Sequence, residues 1–341
     1  MDNTLSPRTA IVGAGAIGGW LGARLAAAGC PVSVLARGAT LAALRAHGLR
    51  LRSAAGDIAV PVQASHDAAE LGPQDVVIVA VKAPALAEVA AQIGPLLGPQ
   101  TVVVTAMNGV PWWFLHGLGP RWAGQRIACT DPDGRIARAL PPTQVVGCVV
   151  HASCAVEEPG LIRHHFGEGL ILGEADGQPS ARVQALVALL QGAGFAASAS
   201  AQIQQDIWFK LWGNMTMNPV SALTGATADR ILDDALVRGF ISGVMREAQA
   251  IGTELGLPIS QQPDDRHAVT RKLGAFKTSM LQDVEAGKPI ELDALVTAVR
   301  ELGQLTATAT PLTDALLGLT RLRGQVLGLY PPGQPSPSAP S

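Results

Sequence analysis

The chain of 341 residues is poor in charge: only 15% of it is Asp, Glu, Lys or Arg, against roughly 25% in an average globular chain. With 48% apolar residues, this composition opposes global disorder. The net charge of -2 gives no general attraction to phosphate backbones or anionic lipids, so neither nucleic acid nor a membrane is an expected partner. Cysteine is scarce. Cys30, Cys129, Cys148 and Cys154 include no C-x-x-C pair, which argues against a disulfide scaffold or a zinc module. Cys148 and Cys154 read as core thiols. The seven histidines contain no H-E-x-x-H. His164 and His165 are neighbours on an expected strand and point to opposite faces, so they read as structural, as does His267, and no metal is expected. Long apolar runs are missing too. The uncharged stretch from Ala10 to Ala23 resembles a signal-peptide core but is too short to span a bilayer. What remains is the profile of a soluble, cytoplasmic enzyme.

Glycine, by contrast, is abundant: 38 residues, about 11% of the chain, where ~7% is usual. Five of these glycines fall between Gly13 and Gly22. Around them, short apolar runs alternate with helical patterns. Strands are expected at Thr9–Val12, Pro31–Ala36, Asp75–Val81 and Thr101–Ala106. Helices are expected at Ile17–Ala28 and Pro84–Leu97, and this alternation implies βαβ units and a parallel sheet. Leu49–Ser53 and Asp57–Val62 read as a hairpin. Residues 144–173 read as strands turning at Gly167–Gly169, and Ala181–Gln191 as a helix. Beyond Ala201 the pattern is helical: 201–217, 234–255, 264–286, 293–307 and 312–327. The expected fold class is therefore α/β, with an N-terminal Rossmann-type domain over 1–200 and a C-terminal all-helical domain over 201–330. Residues 331–341 (PPGQPSPSAPS) have the composition of a disordered tail.

The glycines have a chemical reading. Gly13-Ala14-Gly15-Ala16-Ile17-Gly18 is a G-x-G-x-x-G lying between an expected strand and an expected helix, the context a dinucleotide site requires. Gly13 permits the tight turn, Gly15 lets the backbone approach a pyrophosphate, and Gly18 lets helix and strand pack closely. The helix start at Ala16 and Ile17 offers unpaired N–H groups to the anion. An NAD-preferring site tends to place a carboxylate at the end of the second strand. Here that position is Arg37, and the next carboxylate in the sequence is Asp57. A guanidinium suits a 2′-phosphate, so the expected cofactor is NADP, with Lys82 at the same edge of the sheet. A surface arginine at a loop tip is the plainer alternative.

A second constellation lies in the helical half. Between Ile207 and Ala228, Lys210 is the only charged residue. Lys210, Asn214 and Asn218 recur every four residues, which places them on one helical stripe drifting about 40° per step. Pro219 favours a helix end or kink just beyond. A lysine among Trp208, Phe209, Leu211 and Trp212 can be a tuned proton donor, since burial lowers its pKa and a nearby carboxylate raises it; it can also be an ordinary surface group. Ser279–Asp293 contains Glu291 just after Pro289, either exposed or directed into a cleft. Asn108-Gly109 follows the strand at Thr101–Ala106, at the edge where ligands bind in such sheets, although Asn-Gly is often only a turn.

Together these residues resemble the ketopantoate reductase (2-dehydropantoate 2-reductase) family over roughly residues 8–325. The resemblance rests on G-x-G-x-x-G with Gly19 following, Val81-Lys82-Ala83, Asn108-Gly109, Glu158-Pro159-Gly160, the K-x-x-x-N-x-x-x-N-P of Lys210–Pro219, and the Ser279–Asp293 segment. It implies NADPH-dependent reduction of a small 2-keto acid, in the family's case 2-dehydropantoate on the way to pantothenate, in a cleft between two domains. By the same resemblance Lys210 is the general acid and Glu291 orients it and the substrate hydroxyl. Asn214, Asn218 and Ser279 hold substrate oxygens, and Asn108 sits beside nicotinamide and lysine. An ammonium at hydrogen-bond distance stabilises the alkoxide formed by hydride addition and supplies its proton.

Three features depart from the family pattern. Ala228 stands where many members carry an asparagine, Met107 replaces a common glutamine, and the connection from Asn108 to His151 is long. That connection holds Trp112, Trp113 and Trp122, which read either as a patch packed on the domain or another subunit, or as a lid or wall for a bulkier substrate. The alternatives are thus a reductase of a bulkier 2-keto acid, or a nucleotide-sensing protein without turnover. A homodimer is left open.

Overall fold

The computed structural model describes residues 6–332. They form two compact units that divide between Ile207 and Trp208. The tail expected from 331 lies, from 333 onward, outside the described residues.

In the first unit, β1 (Thr9–Val12) leads into α1 (Ala16–Ala27), and β2 (Val32–Leu35) into α2 (Gly38–His47). The hairpin of β3 (Leu49–Arg52) and β4 (Ile58–Val60) follows, then β5 (Gln63–Ser65), α3 (Ala68–Leu71), β6 (Val76–Val79), α4 (Leu86–Gln92) and β7 (Val102–Thr105). After a long connection carrying α5 (Arg135–Ala139) come β8 (Val145–Glu158), β9 (Leu161–Glu174), α6 (Ala181–Gly192) and β10 (Ala196–Ala199). One mixed ten-stranded sheet runs β4-β3-β9-β8-β7-β6-β1-β2-β5, with β10 paired to β9. The strands from β5 to β8 are parallel. β1, β2 and β6 are buried throughout, as continuous apolar runs must be when helices cover both faces. β2 and β6 flank β1 on opposite sides, which makes β1 the topological switch point.

Several local expectations are corrected. The hairpin of β8 and β9 turns at Pro159-Gly160, where Gly160 has φ +73°. Gly167 lies inside β9, where the register slips between His151 and Ser153, so the expected turn at Gly167–Gly169 is a bulge. Pro84–Leu97 is a short helix between 3-10 turns at Ala83–Ala85 and Gly94–Leu96, because Pro84 and Pro95 each start a new turn. The length of the Trp-rich connection does not make it a lid. Trp112 and Trp113 are buried in the cluster that includes Val12, Val79 and Val103. The Trp113 ring lies so close to β8 that a Cβ at Gly147 would stand 2.6 Å from its Cη2. Trp112 Nε1 donates to the Leu140 carbonyl (3.1 Å). Asp131 accepts from the N–H groups of Ile136 and Ala137 and so caps α5. A wall for a bulkier substrate at Trp112 and Trp113 is therefore overturned; apolar rings of this size serve the core of their own unit.

The second unit is helical: α7 (Ile203–Thr224, whose first residues belong to the first unit), α8 (Ala228–Asp233), α9 (Ala235–Glu254), α10 (Pro263–Arg271), α11 (Ser279–Glu285), a π-helical turn at Asp293–Thr297, α12 (Ala298–Leu305) and α13 (Pro311–Val326). α9, capped by Asp234, packs against α8, α10, α12 and α13 and buries Ile241, Val244, Met245, Ala248 and Ile251. α7 passes through Pro219 to Thr224 instead of ending there, since tertiary packing around a buried proline offsets its missing hydrogen bond. The single helix expected over 264–286 is two, interrupted after Arg271. An α/β half followed by an all-helical half is the observed architecture. Among the described residues no helix is long and apolar enough to cross a membrane.

Candidate active site

The parallel strands bring one group of residues to a common edge. Val12 pairs with Leu35 and Val79, and Val79 pairs with Thr105. The residues just beyond these ends, Gly13, Arg37, Lys82 and Asn108, therefore emerge at the same carboxyl edge of the sheet, at its switch point. Lys82 precedes the 3-10 turn at Ala83–Ala85. Lys82 and Asn108 are half-buried.

The three motif glycines meet three different constraints. Gly13 has φ +91°, and a Cβ there would stand 2.5 Å from Val81 Cγ1, so only glycine turns the chain at this point. Gly15 is exposed, with nothing within 4 Å of where its Cβ would lie. It is the N-cap of α1 and brings no side-chain hydrogen bond, so no side chain caps the helix start at Ala16 and Ile17. A Cβ on Gly18 would collide with the Gly13 carbonyl oxygen. A tight turn, an open approach and a close helix–strand contact are what a pyrophosphate at a helix N-terminus requires; the residues present fit a dinucleotide. The neighbouring glycines have another purpose. Cβ atoms at Gly19 and Gly22 would meet Ile162 Cγ1 at 2.6 Å and Leu49 Cδ1 at 2.9 Å, so these two seat α1 on the sheet.

Arg37 is not isolated from carboxylates, as its sequence neighbourhood suggests. Its guanidinium forms an ion pair with Glu88 of α4. The two side chains are 72% and 48% exposed, the class of pair worth roughly 0–1 kcal/mol. Nothing in the local sequence signals this partner.

In the helical unit, Lys210, Asn214 and Asn218 lie along α7. Lys210 and Asn214 are half-buried and Asn218 is buried. Asn218 Nδ2 donates to Ser279 Oγ at 3.4 Å, across to the start of α11. Glu291 is only 9% exposed and precedes the π-helical turn by two residues, so the sequence alternative of an exposed carboxylate is excluded. Ala228 is buried at the start of α8, its N–H bonded to the Phe276 carbonyl at 2.9 Å. Sequence reasoning missed one charged side chain packed on α7: Arg266 of α10 lies over the Phe209 ring, 5.4 Å from its centroid. The only sequence signal was Gly213, a glycine in mid-helix.

Next to Arg266, His267 is buried and neither ring nitrogen has a hydrogen-bond partner. Asp264 stands 3.5 Å from Nδ1, at ion-pair distance but without hydrogen-bond geometry. Desolvation outweighs its attraction and holds the imidazole pKa below its ordinary value. A histidine depressed in the fold takes up a proton on unfolding. Its contribution to stability is therefore complete above the unfolded pKa of ~6.5 and is lost as pH falls from there through the folded value. Thermal unfolding from pH 7.5 to 5 is expected to show a smaller acid-side loss of Tm for H267Q than for the unmodified protein. Equal slopes would remove His267 from this role.

The chemistry available is thus divided: an edge built for a dinucleotide in the first unit, and a lysine, two asparagines, a serine and a buried glutamate in the second. Comparison with known proteins agrees. The family model described as ketopantoate reductase PanE/ApbA matches residues 9–112, and that of its C-terminal part matches 202–324. A 2-dehydropantoate 2-reductase of Mesorhizobium japonicum is 47% identical over 321 residues, covering 94% of this chain and 98% of its own. The crystal structure of a Ralstonia solanacearum MolK2 protein assigned as a ketopantoate reductase superposes with a TM-score of 0.92 at 60% identity, covering 96% of this chain and 100% of that one. A 2-dehydropantoate 2-reductase of Geobacter metallireducens GS-15 superposes at 0.81 with 28% identity, covering 92% and 99%. The chain belongs to the ketopantoate reductase family of oxidoreductases.

Proposed function

We propose that this enzyme reduces 2-dehydropantoate to pantoate with NADPH, the reduction that pantothenate biosynthesis requires. The observation that carries the reading is the α7 stripe of Lys210, Asn214 and Asn218, tied to Ser279 and accompanied by the buried Glu291, in a chain 47% identical to a 2-dehydropantoate 2-reductase. Gly13, Gly15, Ala16, Ile17 and Gly18 hold the pyrophosphate, Arg37 and Lys82 the 2′-phosphate, and Asn108 orients the nicotinamide end. The reduced nicotinamide supplies a hydride when bound. Lys210 donates a proton to the ketone oxygen as negative charge develops there. Glu291 orients the lysine and the substrate hydroxyl, and the amides of Asn214 and Asn218 with the Ser279 hydroxyl hold substrate oxygens.

A bulkier substrate loses its main support with Trp112 and Trp113 in the core. A panel of 2-keto acids tests the choice. NADPH oxidation with 2-dehydropantoate is expected to exceed that with phenylpyruvate or branched 2-keto acids in kcat/KM by at least tenfold. A preference for an aromatic acid would reverse the substrate assignment, and no oxidation with any acid would favour a nucleotide-sensing protein.

A further inference from the structure

The end of the helical unit returns to the segment that carries Glu291. Gly328, at φ +68°, closes α13: its N–H donates to the Gln325 carbonyl (3.0 Å), and that of Leu329 to the Gly324 carbonyl (2.8 Å). This pair of bonds is a Schellman cap, which turns the chain back on the helix it leaves. The next two residues then meet two residues that bracket Glu291. The Leu329 carbonyl accepts from the Ile290 N–H at 3.1 Å. The Tyr330 hydroxyl donates to Asp293 Oδ1 at 2.7 Å, and Thr297 Oγ1 donates to the same oxygen at 2.9 Å. Glu291 therefore has a tied residue just before it and another two places after it.

Space is cleared for this arrangement. A Cβ on Gly324 would stand 2.9 Å from Tyr330 Cβ and 3.0 Å from Ile290 Cδ1, so glycine occupies mid-helix although it weakens helices. Ile290 and Leu329 are both buried. Beyond the tyrosine, Gln325 Nε2 donates to the Pro331 carbonyl at 3.2 Å. Asp293 opens the π-helical turn over Asp293–Thr297, a rare conformation that recurs at functional sites. Thr297 lies within that turn, whereas Tyr330 ties it to the end of another element. A hydroxyl donating to a carboxylate makes a charge-assisted bond, stronger than one between neutral groups.

We propose that Tyr330 is a positioning residue for Glu291, an inference that rests on the reductase reading above. Tyr330 fixes Asp293 while Leu329 fixes Ile290, so the backbone is held on both sides of the buried carboxylate. Glu291 then keeps the placement from which it orients Lys210 and the substrate hydroxyl. A misplacement of about 1 Å in such a group can cost ~10²-fold in rate.

Y330F in the full-length protein tests the hydroxyl, read by amide hydrogen exchange, steady-state kinetics and NADPH binding. Exchange over residues 290–297 is expected to quicken at least tenfold, with NADPH affinity unchanged. kcat/KM for 2-dehydropantoate is expected to fall roughly tenfold, about what one hydrogen bond to a charged group is worth. E291Q and the double variant Y330F/E291Q separate positioning from a general loss of structure. If Tyr330 acts through Glu291, the double variant matches E291Q in kcat/KM. Equal losses from Y330F in both backgrounds are the mark of a structural side chain and overturn the role. So does unchanged exchange over 290–297. Should Y330F fold poorly, D293N weakens the same bond from the acceptor's side and carries the same expectations in smaller measure. If the unmodified enzyme shows no keto acid-dependent oxidation, the reductase reading itself fails and this role with it; if it turns over normally and Y330F matches it, only the role of Tyr330 fails.

Discussion

Replacing Lys210 by alanine is expected to lower kcat by roughly 10³-fold or more while leaving NADPH affinity within a few fold. Hydride addition to a ketone places a full negative charge on oxygen. Lys210 is the only charged side chain between Ile207 and Ala228, and general acid catalysis together with electrostatic stabilisation by one such group is worth about 10²–10⁴-fold. The variant removes both. NADPH affinity should persist because the turn proposed to hold the pyrophosphate, Gly13–Gly18, lies in the first unit, apart from Lys210. Fluorescence titration of the variant with NADPH separates the two effects. K210R is the informative companion: it keeps a positive charge but holds its proton too tightly to give it up, so its kcat is also expected to remain low. Retained turnover in K210A would remove Lys210 as the acid.

Replacing Arg37 by alanine is expected to weaken NADPH by roughly ten- to a hundredfold relative to NADH, the loss of one charge-assisted contact to a 2′-phosphate. The pairing with Glu88 makes this a sharper experiment than sequence reading suggests. An exposed ion pair contributes little, whereas a phosphate offers the same guanidinium more charge and a bidentate fit. Arg37 is therefore expected to exchange Glu88 for the 2′-phosphate on binding, and E88Q should strengthen NADPH by a few fold by removing the competitor. If E88Q instead weakens NADH and leaves NADPH unchanged, Glu88 is the ribose-binding carboxylate and the preference reverses.

The parts of this molecule that were readable in advance are those whose cause is local. The apolar runs at Thr9–Val12 and Val76–Val79 and the glycine turn at Gly13 follow from side-chain burial and backbone sterics within a few residues. The α7 stripe is likewise a matter of helical spacing. What was not readable depends on residues far apart in sequence. Glu88 reaches Arg37 across 51 positions, because α4 follows β6 and lies at the edge that β2 also serves. The tryptophans at 112 and 113 look alike in sequence whether they line a cleft or fill a core; only their burial in the cluster with Val12, Val79 and Val103 decides. Arg266 sits in Pro263-Asp-Asp-Arg-His267, a stretch that reads as a solvated helix start, and its desolvation comes from α7. Gly167 misled for a related reason, since a bulge and a turn call for the same residue.

The reaction itself is tested most directly with NADPH carrying deuterium at both C4 positions of the nicotinamide and 2-dehydropantoate as acceptor, with the product analysed by mass spectrometry and NMR. The expected result is pantoate carrying one deuterium at C2 for each cofactor oxidised. Cofactor oxidation without deuterium at C2, or no oxidation in the presence of the keto acid, would contradict it.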